Sequence, residues 1–68
     1  MFVSFSDKDG NYCYNIDKIE SVYRYSETSK LYIYFNDETL ATGFHFNSPD
    51  ECFETYKEIE RQLREGIK

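Results

Sequence analysis

Sixty-eight residues make one domain, 1–68, and a chain this short removes only about 60% of its unfolded surface from water, so its stability is modest. With 40% hydrophobic and 31% charged residues the composition is globular, not disordered. Thirteen acidic against eight basic residues leave a net charge of −5, which repels phosphate backbones and anionic lipid and weighs against nonspecific nucleic-acid or membrane binding.

The aromatic fraction is 19%, from seven Tyr and six Phe without any Trp. Tyr carries apolar area with a polar tip, so such a chain can leave rings half exposed at an interface and stay in solution. No apolar run approaches the roughly 18 residues of a membrane span, and Met1-Phe2-Val3-Ser4 lacks the basic start and long apolar core of a signal peptide. The expectation is a cytoplasmic protein with no membrane partner. Cys13 and Cys52 lie far apart with no metal-ligand spacing and read as packing or surface thiols.

In chain order, Phe2-Val3-Ser4-Phe5 is a short strand, Ser6 to Asn11 a turn around an Asp-Gly step, and Tyr12 to Ile16 the returning strand. Asp17-Lys18 interrupts the pattern. Ile19 to Tyr25 resumes it, with Ile19, Ser21, Tyr23 and Tyr25 on one face and Glu20, Val22 and Arg24 on the other. Polar Ser26 to Lys30 suits a hairpin loop. Leu31-Tyr32-Ile33-Tyr34-Phe35 is the central strand, alternating core formers with tyrosines, and Asn36-Asp37 turns the chain back into a strand over Leu40 to Phe46. There Leu40, Thr42, Phe44 and Phe46 share a face, and Ala41, Gly43 and His45 the other.

Asn47-Ser48-Pro49-Asp50-Glu51 starts a helix: Ser48 as N-cap, Pro49 at the first helical position, and Glu51 completing a capping box. Cys52, Phe53, Tyr56, Ile59 and Leu63 form its apolar stripe, while Glu54, Lys57, Glu58, Arg61, Gln62 and Arg64 face water. Gly66 reads as the stop, with Ile67 folding back.

The fold class is therefore α+β: an antiparallel meander of four to five short strands with one C-terminal helix packed on one face of the sheet. One helix covers one face only. If Leu31, Ile33, Phe35, Phe44 and Phe46 lie under it, the open face carries Tyr32, Tyr34, Val22, Arg24, His45, Ala41 and Gly43, an aromatic patch larger than a lone monomer usually leaves bare.

No constellation rises to a specific chemistry. Asp7-Lys8-Asp9-Gly10 has the alternating carboxylates of a calcium loop, but with Gly10 sixth the first and twelfth ligands fall on Phe5 and Ile16, which do not ligate. His45 is the only histidine, so a two-His metal site is impossible, and a catalytic Cys/His pair has no orienting third group. Its expected work is surface or interface hydrogen bonding. The three glycines stand alone and make no phosphate loop. No catalytic residue, cofactor or metal is expected.

Asn15-Ile16-Asp17-Lys18-Ile19-Glu20, Leu31 to Asp37 and Ser48-Pro49-Asp50-Glu51 together resemble small bacterial proteins of the FlbD type, with Ile16 where that family has Pro and Glu38 where it has Gly. The resemblance implies a non-enzymatic accessory protein, linked in that family to flagellar motility. The strands-then-helix order also looks like that of Whirly-type single-stranded-DNA binders.

The leading expectation is a small acidic non-enzymatic protein-binding module, a regulator or inhibitor of the sort phages and mobile elements encode, that docks on a partner with a basic surface and forms a homodimer. Tyr32, Tyr34, Arg24, Val22, His45, Asp37 and Glu38 are its expected protein-binding residues, and Asp7, Asp9, Asp37, Glu38, Glu54 and Glu58 supply long-range attraction. The alternative is single-stranded nucleic-acid binding on the aromatic face, with Arg24 and Lys30 as its cations.

Overall fold

Leu31 and Ile33 are 0% exposed, as alternation in the central run requires, and their strand is the middle of the larger sheet. The computed structural model describes residues 1–25 and 28–66; Ser26 and Glu27 of the expected loop, and the expected fold-back of Ile67, lie outside them. Its elements are β1 (Phe2–Ser6), β2 (Asn11–Asn15), a 3₁₀ turn (Ile16–Lys18), β3 (Ile19–Arg24), β4 (Lys30–Phe35), β5 (Thr42–His45) and α1 (Pro49–Gly66). The α+β class and antiparallel pairing are as the sequence indicates. The five strands divide into a hairpin, β1-β2, and a three-stranded sheet, β3-β4-β5.

Asp7 joins the two sheets. Its Oδ1 accepts from the N–H groups of Asp9 (2.8 Å) and Gly10 (3.1 Å), which shapes the turn, and its Oδ2 accepts from the His45 N–H of β5 (3.2 Å). The Lys8 N–H donates to the His45 carbonyl at 2.9 Å. Hairpin rings then fill the core: Phe5 and Tyr12 stand edge-on to Phe44 at 5.1 and 4.9 Å. This latch also occupies His45's backbone groups on the outer edge of β5, where an open strand would invite pairing.

The face assignment along β3 corrects the alternation read from sequence. Ile19 pairs with Phe35, but Ser21 pairs with Tyr34, so a β-bulge lies between them. The extra residue reverses the phase. Ile19 stays in the core at 4% exposure, Val22 pairs with buried Ile33, and Arg24 pairs with buried Leu31. Val22 and Arg24 therefore lie on the core side, not on the open face with Tyr32 and Tyr34. At the start of the next strand Leu40 is 78% exposed and precedes β5, so it does not share a packed face with Phe44.

Ser48 caps α1 as expected: its Oγ accepts from the Glu51 N–H at 3.2 Å, and its carbonyl accepts the first helical bond from Cys52. Cys52 and Ile59 are 0% exposed, with Tyr56 and Leu63 packed beside them. Two positions differ from the expected stripe. Phe53 is 40% exposed on the flank, and Gln62 is 9% exposed inside. At about 3.6 residues per turn Cys52, Ile59 and Leu63 fall on one line of the helix, with Phe53 about 100° round from Cys52 on one flank and Gln62 on the other. The flanking Phe53 ring is instead covered by cations, Arg24 and Lys57 each standing 4.8 Å from its centroid.

Candidate functional site

With Arg24 and Val22 on the inner side, the bulge places Tyr23 on the outer face of the sheet. Tyr23 pairs with Tyr32, Tyr32 with Gly43, and Ser21 with Tyr34, so these side chains share one surface. Tyr25 completes it, its ring edge-on to Tyr23 (5.2 Å, 76°) and to Tyr32 (5.8 Å, 89°). Gly43 has a specific reason here: the Tyr32 ring lies across it, and an added Cβ would meet Tyr32 Cε1 at 3.2 Å. A glycine in the neighbouring strand lets the ring lie down on the sheet.

Among the described residues, the strand positions paired across this face carry a cation only at one end, where Lys30 lies opposite His45. Tyr23 and Tyr25 are each half exposed and Tyr34 is 40% exposed. Taking roughly 200 Å² per ring, the three leave about 300 Å² of tyrosine surface in water. Of the expected binding residues, Tyr32, Tyr34 and His45 come together on this face. Plain alternation groups Tyr23 and Tyr25 with Ile19 and so hides them from this face; core formers on both phases of one strand are the sequence signal of the bulge.

Asp37 and Glu38 belong to another surface. They lie in the β4–β5 loop, on the rim of a cleft of about 440 Å³ shared with Cys13, Tyr14, Lys18 and Phe35. The charge expected to act at long range is also unevenly free. Lys57, Arg61 and Arg64 pair along the helix with Glu54, Glu58, Glu60 and Glu65, and Asp7 is held in its latch. The side-chain hydrogen bonds from Arg61 and Gln62 hold the Glu58 carboxyl below its usual range, against a small effect of burial.

Neither thiol is paired. Cys13 is exposed and Cys52 is buried, where loss of solvent raises the Cys52 pKa against the lowering influence of Arg24. Among the described residues no group of three or more His, Cys, Asp or Glu is placed to hold a metal, and no helix is long and apolar enough to cross a membrane. Compared with protein-family models, curated proteins and solved structures, the chain matches none. Its own surface is therefore what bears on function.

Proposed function

We propose that this chain is a small non-enzymatic protein-binding module, a regulator or inhibitor that docks through the Tyr23/Tyr25/Tyr32/Tyr34 face and self-associates weakly through the same face. The observation that carries the reading is the cluster of exposed Tyr23, Tyr25 and Tyr34 around half-buried Tyr32 on one sheet face of an acidic protein. Tyrosines of this kind bury apolar area at low entropic cost and keep hydroxyls for hydrogen bonds at an interface. The size of the patch sets the strength. About 300 Å² of tyrosine surface is well below the ~800 Å² per partner of a standard stable interface, which puts self-association in the transient class. The net charge of −5 adds attraction to a basic partner and makes that association weaken with salt. The resemblance to FlbD-type proteins points the same way, to an accessory protein rather than an enzyme.

Light scattering over a concentration series tests it, on the native chain and on a Tyr23→Ser/Tyr34→Ser variant. Both positions are exposed, so the variant keeps its fold. The native mass rises toward a dimer with concentration and the variant's stays monomeric. A native mass that never rises, or rises equally in the variant, refutes docking of a second copy on this face. The nucleic-acid reading has lost Arg24, which stands over Phe53 on the helix side. A low-salt mobility shift of single-stranded DNA or RNA, abolished by the same substitutions, would reinstate it.

A further inference from the structure

We infer that the cleft between β2 and the β4–β5 loop is a recognition pocket for one cationic side chain, an arginine or lysine of a partner protein. Two aromatic rings line it, Tyr14 and Phe35, their centroids 4.9 Å apart and their planes at 54°. Its rim carries Asp37 and Glu38, both exposed and neither in an ion pair or side-chain hydrogen bond among the described residues. Lys18 also lines the cleft, so its charged side chains are two carboxylates and one ammonium. Ring faces are negative, and so is the balance of the rim. An anion meets repulsion from both; a neutral group leaves both carboxylates idle. A guanidinium or ammonium on an aliphatic stem uses rings and rim together.

The walls are tied down, so the site exists before its ligand arrives. The Asn36 side chain donates to the Asp17 carbonyl at 2.8 Å, and its N–H donates to the Lys18 carbonyl at 3.0 Å. Asn15 Oδ1 accepts from the Asp17 N–H at 3.0 Å, and the Glu38 N–H closes the loop on the Phe35 carbonyl at 3.1 Å. These bonds fix both sides of the cleft without using the Asp37 or Glu38 side chains. Preformed walls reduce the ordering cost of binding.

The probe is acetyl-Gly-Arg-Gly-amide, with its citrulline counterpart as a neutral isostere, titrated at low salt into the native chain and followed by amide shifts. A second readout is alkylation of Cys13, the exposed thiol on the cleft, against buried Cys52 as internal reference. The arginine peptide shifts the amides of Cys13–Asn15 and Phe35–Glu38 and slows alkylation of Cys13, while the citrulline peptide does neither. Asp37→Asn with Glu38→Gln weakens binding about tenfold, as loss of two exposed charge contacts predicts, with the unfolding midpoint unchanged. Tyr23→Ser/Tyr34→Ser leaves it unaltered, so this result and that of the tyrosine face are independent. Equal shifts from both peptides, shifts confined to other surfaces, no response at millimolar peptide, or full binding by the double carboxylate variant would each overturn the inference.

Discussion

Asp7 is the residue whose replacement has the most to say about how the two sheets are held together. Its two oxygens divide their work: Oδ1 takes the Asp9 and Gly10 N–H groups within the hairpin turn, and Oδ2 takes the His45 N–H across to β5. Asp7→Asn keeps one acceptor and places an amide donor against another donor. Oriented to keep the turn, it breaks the link to His45 alone, at a cost of about 1 kcal/mol for the lost bond. Asp7→Ala loses the three backbone N–H contacts and costs about 2–3 kcal/mol, a large share of the total for a domain of this size. At roughly 4–8 °C per kcal/mol, thermal unfolding should fall by about 4–8 °C in the Asn variant and about 10–20 °C in the Ala variant. The pH dependence gives a second check. Burial raises the Asp7 pKa, but the N–H groups of Asp9, His45 and Gly10 and the Tyr12 hydroxyl together outweigh it and hold the carboxyl below its ordinary 3.8. A depressed native pKa means that the unfolded chain takes up the proton first as pH falls. The stabilisation is therefore complete above the ordinary value and is lost as pH drops through the native one. Urea unfolding of native and Asp7→Asn chains at neutral pH and below pH 4 measures both effects. An Asn variant as stable as the native chain, or with the same loss of stability in acid, would refute the latch.

Two further substitutions test the helix start and the strand phase. Ser48→Ala removes the acceptor for the Glu51 N–H and should lower stability by about 1 kcal/mol, read from the urea midpoint with an unchanged slope. Val22→Asp and Tyr23→Asp are adjacent and chemically matched but face opposite ways. The first puts a carboxylate beside Ile33 and should cost about 3 kcal/mol or more, and the second should stay within about 1 kcal/mol of native, so equal losses in calorimetry would mean the bulge is misplaced.

The helix and the central strand could be read in the residues because several local signals agree there: Ser48, Pro49 and the Cys52–Ile59 spacing for one, Leu31 and Ile33 for the other. The hairpin's attachment could not be read, because Asp7 satisfies its own turn in any case, and its second oxygen finds His45 only in three dimensions. Asp37 and Glu38 were legible as free charge but not as the rim of an aromatic cleft, since Tyr14 and Phe35 are separated in sequence and meet only when the hairpin packs.

The surface depends on a single insertion. Along β3 both Ile19 and Val22 are core formers, an odd spacing that no regular strand can bury on one side. A bulge resolves the conflict by turning both inward, and the same step turns Tyr23 outward beside Tyr32. Without it Val22 and Arg24 would face solvent, and Tyr23 would be forced toward the helix. The aromatic face is thus the other side of a packing solution: burying two branched aliphatic residues three apart in one strand obliges Tyr23, the residue after the second of them, to face water. Deleting the extra residue, Glu20, would restore plain alternation from Ile19 with Ser21 and Tyr23 still facing out and Val22 and Arg24 still on the core side, so the aromatic face should survive the deletion.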